Sequence, residues 1–123
     1  GYRRMTTTYT NHDSIDLEII QGDTATFTFT ITDSTGAVVN LTGATITSQA
    51  RATVEAADTV WNIIITDGSG GAVFSTGTVV LTIPATTTIK LSSGMVYDIK
   101  SVLSGVTTTL AKGFVNVIKR VSR

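Results

Sequence analysis

The segment from Thr24 to Thr32 alternates strictly between threonine and an apolar residue. Successive side chains of a β-strand point to opposite faces, so a strand here places Phe27, Phe29 and Ile31 together on one face. A helix would scatter the same apolar side chains around its circumference. The segment is therefore predicted to be a strand with one face on a core and its hydroxyl face in water.

The composition extends this preference for strands to the rest of the chain. Threonine makes up about a fifth of the residues, there is a single proline, and glycines fall between the apolar runs as hairpin turns require. A chain of 123 residues can bury a core without disulfides, and this one contains no cysteine. We predict one all-β sandwich domain over residues 15–123, preceded by a flexible N-terminal arm at residues 1–14 that is ordered only where it docks.

The alternating segments lie at the spacing typical of a sandwich. A tight turn is predicted at Ser104-Gly105, and a type I turn over Asp33–Gly36. Pro84–Leu91 interrupts the alternation and predicts a single helical turn, with Ile89 and Leu91 covering one end of the core. The predicted strands are Ile15–Ile20, Thr24–Thr32, Ala44–Val54, Trp61–Ile65, Ala72–Ser75, Thr78–Ile83, Met95–Leu103, Val106–Ala111 and Gly113–Val121.

The formal net charge is zero, but the charges are unevenly distributed. Between Asp13 and Asp67 the charged residues are acids apart from Arg51, and from Lys90 onward they are bases apart from Asp98. Pairing of early with late strands would neutralise the two sets of charges within the fold. Stacking of copies, acidic side to basic side, would neutralise them between molecules. A neutral chain without clustered bases argues against nucleic acid as a partner, and no apolar run is long enough to span a membrane.

No residue pattern indicates catalysis, a metal site or a cofactor. His12 is the only histidine; although Asp13 and Ser14 adjoin it, a flexible arm cannot hold a proton-transfer geometry. Asp13, Asp16 and Glu18 do not have the spacing of a calcium loop. We expect no enzyme activity, no cofactor and no small-molecule substrate.

Three further features have ordinary structural interpretations. Gly68–Gly71 lacks the following Lys-Ser/Thr and helix of a phosphate-binding loop, so a hairpin turn is expected. The hydroxyl row of Thr24–Thr32 has no matching rows at a fixed repeat, which favours a solvated or protomer-contacting strand over an ice-binding face. The larger aromatic residues are assigned to core or inter-subunit packing rather than to a sugar platform: Trp61, Phe74, Tyr97 and Phe114.

Several stretches, taken together in order and spacing, resemble short virion proteins of tailed bacteriophages, including the N-terminal domain of the upper baseplate protein of lactococcal phages. The resemblance covers about residues 15–123. It implies an immunoglobulin-like antiparallel β-sandwich of about seven to nine strands, with glycines in turns and a Tyr97 hydroxyl that finds a partner inside the fold. The stretches are Gln21–Asp23, Asn40–Thr45 with Gln49–Arg51, Gly77–Ile83, Thr86–Leu91, Gly94, Tyr97-Asp98 and Gly113–Arg123.

The resemblance implies a structural component of a phage virion, in the tail, baseplate or neck, assembled in the host cytoplasm. Its partners would be other virion proteins and further copies of itself. A capsid cement protein is the alternative, and a carbohydrate-binding or adhesin module that uses Trp61 or Tyr9 is a third hypothesis. The predicted partner contacts lie in the arm and at the basic C-terminal end: Tyr2, Arg3, Arg4, Tyr9, Lys119, Arg120 and Arg123.

Overall fold

The computed structural model describes residues 3–9 and 14–119, with side chains described for 14–119. Phe74–Thr76 form a 3₁₀ turn, so the strand predicted at Ala72–Ser75 is wrong; only an isolated bridge joins Val73 to Thr78 there. The helical turn predicted after Pro84 is confirmed as α1, Ala85–Thr88. The strands are β1 Arg3–Tyr9, β2 Leu17–Ile20, β3 Ala25–Ile31, β4 Thr45–Arg51, β5 Trp61–Ile65, β6 Thr78–Ile83, β7 Met95–Leu103 and β8 Val106–Ile118.

The strands form two sheets, in the orders β1-β3-β6 and β2-β8-β7-β4-β5. The prediction of an all-β sandwich is confirmed. The order β8-β7-β4-β5 is that of the G, F, C and C′ strands of a variable-type immunoglobulin domain. The sandwich is not purely antiparallel, however, because β1 pairs with β3, and β2 with β8, in parallel. Period-two patterning cannot reveal strand direction, since it determines only which face a side chain occupies.

The apolar face of β3 lies at the centre of the core, as its alternation predicts. Phe27 and Phe29 are fully buried, and Ile46 of β4 and Ile99 of β7 belong to the same core cluster. Burial of each such side chain contributes about 1.5–3 kcal/mol relative to exposure. The alternation of β3 therefore supplies much of the free energy that holds the two sheets together.

The threonine face of β3 is drier than the sequence predicts. Thr28 is only 9% exposed, and its hydroxyl oxygen has no hydrogen-bond partner among the described residues. Its register partner on β6 is Val80, which is also buried, and the glycine-rich turn after β5 lies over Val80 at Gly70. The prediction of a fully wet hydroxyl face is wrong because a remote turn covers part of this face, which a local pattern cannot show.

One end of the sandwich is closed by α1 and the turn between β2 and β3. The hydroxyl of Thr88, which is completely buried, accepts the Gly22 N–H at 3.0 Å and donates to the Asp23 carbonyl at 2.8 Å. Leu91 covers the core end as predicted, whereas Ile89 is exposed. This closure places the polar turn and the helix at the same end as Lys119, because the Gln21 N–H donates to the Ile118 carbonyl at 2.9 Å.

The last two predicted strands are one continuous strand. β8 pairs with the whole of β7 through residues 106–115 and absorbs an irregularity opposite Ile99 and Lys100, where Leu110 is the extra residue. Leu110 and Ala111 are both buried, as consecutive residues of a β-bulge can be. The predicted extension to Val121 lies outside the described residues.

Part of the predicted N-terminal arm is a strand. Residues 3–9 form β1, which runs in parallel with β3 from Arg3 opposite Ala25 to Tyr9 opposite Ile31. This stretch thus docks on the outer edge of the three-stranded sheet. Residues 1, 2 and 10–13 lie outside the described part of the chain, and the flexibility predicted for the arm stays a prediction.

Candidate functional site

The outer face of the five-stranded sheet carries a shallow concavity of about 470 Å³, which we call the outer-face concavity. Strands β4, β7 and β8 form its floor, and Ser14 and Val54 contribute to its walls. Two cross-strand rows of side chains cross the floor. The first is Gln49, Asp98 and Lys112, and the second is Arg51, Val96 and Phe114.

Arg51 fixes the wall formed by the loop after β4. Its Nη1 donates to the carbonyls of Ala56 and Ala57, both at 2.8 Å, and its Nη2 donates to the Gln49 side chain at 3.0 Å. The guanidinium therefore holds the loop back against its own strand through neutral acceptors. This loop carries Val54 into water at the rim, so the wall presents an apolar side chain beside a fixed positive charge.

Asp98 lies at the centre of the first row, between Gln49 and Lys112. Its Oδ1 atom is buried and has no hydrogen-bond partner within the described residues. A buried acceptor without a donor is costly, commonly by about 1–3 kcal/mol. A partner that placed a hydrogen-bond donor against the Asp98 carboxylate would therefore gain more binding free energy than the same donor would gain on an exposed surface.

The wall at Ser14 is positioned by the chain segment that enters β2. The Ile15 N–H donates to the Lys112 carbonyl at 2.9 Å, and the Ile15 carbonyl accepts the Tyr97 hydroxyl at 2.6 Å. The partner expected for the Tyr97 hydroxyl is therefore present. The next residue, Asp16, accepts the Phe114 N–H at 3.0 Å through its carboxylate.

Gly113 makes this close approach possible. A Cβ atom at Gly113 would lie 2.6 Å from the Ile15 carbonyl carbon and 3.1 Å from the Asp16 carboxylate, with the Ile15 oxygen closer still. From the sequence alone, Gly113 is predicted only as the start of a strand. The available signal was a glycine inside an alternating run, which commonly marks a close backbone approach.

Apolar side chains are exposed beside the concavity and beyond it. Phe114 is 53% exposed at the edge of the floor, and Ile64 and Ile118 are exposed on the same face of the sheet. The hairpin tip, residues 102–109, is exposed at every position and ends in a two-residue turn in which Ser104 and Gly105 both have positive φ. This tip carries three exposed apolar residues: Val102, Leu103 and Val106.

The predicted contact residues are partly brought together. Arg3 and Arg4 begin β1 opposite Ala25 and Thr26, and Lys119 is exposed directly after β8. Both positions lie at the end of the sandwich closed by α1. Tyr9 ends β1 at the opposite end of β3. Tyr2, Arg120 and Arg123 lie outside the described residues, as do His12 and Asp13.

Asp67 and Trp61 both have hydrogen-bond partners within the fold. Asp67 accepts the Phe74 N–H at 3.0 Å and so anchors the turn that crosses Val80. Trp61 is 4% exposed, and its indole N–H donates to the Ser48 hydroxyl at 3.0 Å. The hypothesis that Trp61 forms an exposed sugar platform is therefore wrong, whereas its assignment to core packing is confirmed.

Within residues 3–9 and 14–119, no three His, Cys, Asp or Glu side chains converge as a metal site would require. No helix in this part of the chain is long and apolar enough to cross a membrane. Neither a scan of the sequence against protein-family models nor a search of curated proteins finds a match.

Proposed function

We propose that this protein is a structural component of a bacteriophage virion, in the tail, baseplate or neck, and that it functions by docking to other virion proteins. The proposal combines the sequence resemblance with one structural observation. Apolar side chains extend into water along the outer face of the five-stranded sheet and on the hairpin tip that prolongs it. Exposed apolar side chains that lie next to one another, as Leu103 and Val106 do on the tip, mark surfaces that a protein partner covers.

The hairpin tip is where exposed apolar side chains are least supported by the rest of the fold. Val106, 63% exposed, pairs with Leu103 beside the turn, beyond Val102, where β4 stops pairing with β7, so the sheet narrows there to two exposed strands. An isolated two-stranded ribbon is marginally stable in water, because neither of its faces is buried. A neighbouring protein packed on the tip would bury these apolar groups and order the ribbon.

The outer-face concavity supplies the second part of a docking surface. Its rows combine an exposed aromatic ring at Phe114 with the fixed charge of Arg51 and the polar row through Asp98. Aromatic and arginine side chains dominate the energetics of protein interfaces. We expect Phe114 to be the main apolar anchor of the partner on this face.

The same surfaces would serve a cement protein on the head shell, so location within the particle decides between these roles. Purified virions can be separated into heads and tails and each fraction analysed by mass spectrometry. We expect the chain in the tail fraction at a fixed copy number. Its presence in heads alone would favour the cement role, and its absence from both fractions would refute a virion function.

A matched pair of variants tests the docking surface. Phe114→Asp and Asn116→Asp place the same charge on the same face of β8, two positions apart. We expect Phe114→Asp to reduce incorporation into particles by about tenfold or more, since an interface anchor is worth roughly 2 kcal/mol or more. Asn116→Asp should be incorporated normally. Equal incorporation of both variants would contradict the assignment of this face.

A further inference from the structure

We propose that the edge of β3 is a strand-exchange site, occupied in the assembled state by residues 3–9 of a second copy of this chain. This inference rests on the proposed assembly function for its biological setting, and it specifies one partner and one contact. The occupant is inferred from the segment that pairs with this edge in the structure. That segment is β1, in register from Arg3 opposite Ala25 to Tyr9 opposite Ile31.

The packing of β1 is what allows exchange. Among the described elements, β1 packs extensively against β3 alone, while the other edge of β3 is paired with β6. β1 is therefore attached to the sandwich mainly through one strand pairing. Removing it would not open the contacts between the two sheets that bury Phe27 and Phe29.

The edge of β3 nevertheless requires an occupant. Without β1, the strand would present a row of unpaired N–H and C=O groups along a strand whose inner face is the centre of the core. Such an edge is a template for pairing with any available strand. Every copy of the chain carries a segment that fits this edge, so a second copy is the partner for which the contact is already specified.

The parallel direction of the pairing is compatible with exchange, because no tight turn ties β1 to β3. Parallel neighbours cannot be joined by a tight turn and need a long crossover connection. Between β1 and β3 the chain leaves the sheet, forms β2 in the opposite sheet and then returns. A β1 supplied by a neighbouring copy would make the same backbone hydrogen bonds without its own chain having to return to that sheet.

Concentration sets the balance between two forms. In the closed form β1 pairs with β3 of its own chain, and in the exchanged form it pairs with β3 of a second copy. Exchange of an identical element keeps its contacts and is a low-cost route to association. The main cost is the entropy of bringing two copies together, which falls when an assembly holds them side by side. The closed form is thus favoured in dilute solution, and the exchanged form in an assembly.

The absence of cysteine from the chain allows a direct test. Thr8 lies opposite Thr30 in the register of β1 and β3. Neighbouring strands lie about 4.8 Å apart, within the separation of about 4.4–6.8 Å that a disulfide spans between Cα atoms. Thr8→Cys and Thr30→Cys chains, unfolded separately and refolded together at high concentration, should form a mixed disulfide dimer under mild oxidation.

The control is Thr8→Cys refolded with Thr107→Cys, because Thr107 is exposed on the hairpin tip of the other sheet. Exchange predicts at least several-fold more mixed dimer for the Thr30 pairing than for this control. An equal yield would refute exchange, provided that the Thr8→Cys/Thr30→Cys double variant closes within one chain. Should Thr30→Cys fail to fold, Arg4→Cys with Thr26→Cys tests the same register. Because this experiment uses only purified chains, a negative result would refute exchange without bearing on the location of the protein in the virion.

Discussion

Replacement of Gly113 by alanine should detach the segment that enters β2 from the five-stranded sheet. The added Cβ would lie 2.6 Å from the Ile15 carbonyl carbon, a separation that real Cβ atoms essentially never show. The Ile15 carbonyl belongs to the backbone and a Cβ atom has no freedom to rotate away, so no side-chain rotation can relieve the clash. The segment around Ile15 must move away from β8, or β8 must bend.

The magnitude follows from the hydrogen bonds that this movement breaks. Three are at risk: Ile15 N–H to Lys112, the Tyr97 hydroxyl to Ile15, and Phe114 N–H to Asp16. Each is worth about 0.5–1.5 kcal/mol net, and the bond from the Tyr97 hydroxyl lies in a side chain that is almost fully buried. We therefore expect Gly113→Ala to lower the free energy of unfolding by roughly 2–4 kcal/mol.

Denaturant and thermal unfolding, followed by fluorescence of the single tryptophan, measure this loss. For a domain of this size, 1 kcal/mol corresponds to a change in Tm of roughly 3–5 °C, so a decrease of about 6–20 °C is expected. Asn116→Ala, an exposed change on the same strand, is the control and should lower Tm by no more than about 2 °C. A Gly113→Ala variant as stable as this control would refute the close-approach argument.

A double-mutant cycle checks the mechanism. Tyr97→Phe alone removes one of the three bonds and should cost about 1 kcal/mol. If Gly113→Ala has already displaced Ile15, then Tyr97→Phe should cost much less in that background. Additive effects would indicate that the Tyr97 hydroxyl keeps its partner after the glycine is replaced.

Three further predictions concern turns and a buried polar pair. Ser104→Asn should raise the free energy of unfolding by up to about 1 kcal/mol in a denaturant titration, since asparagine tolerates the positive φ that serine adopts in this turn; a loss of stability would contradict the turn assignment. The pKa of Asp33 lies below its usual value because the Thr35 hydroxyl, and then the Thr35 backbone N–H, donate to its carboxylate. The stabilisation is therefore complete above the unfolded-state pKa and is lost as the pH falls through the folded-state pKa; an NMR titration should show the low value, and Thr35→Ala should raise it. Ser48→Ala removes the acceptor of the buried Trp61 indole N–H and should cost about 1–3 kcal/mol in thermal unfolding, accompanied by a shift in tryptophan emission; an unchanged Tm would show that the indole finds another acceptor.

Local side-chain patterning predicts most of the strands and their inward faces. The alternation of β3 and β4 predicts which of their residues face the core, and the bounds predicted for β5, β6 and β7 match those observed. This succeeds because side-chain direction along a strand is a local property with a period of two. The helical turn after Pro84 and the tight turn at Ser104 were equally local signals.

Which strands are neighbours, and what lies over each outer face, depends on contacts between distant parts of the chain. The parallel pairings of β1 and β2, the burial of Thr28 and the close approach at Gly113 all join residues that are distant in sequence. The outer-face concavity likewise depends on the register of β4, β7 and β8. An alternating pattern fixes the face that a side chain occupies, but pairing depends on the free energy of the whole assembled sheet, to which every strand contributes at once.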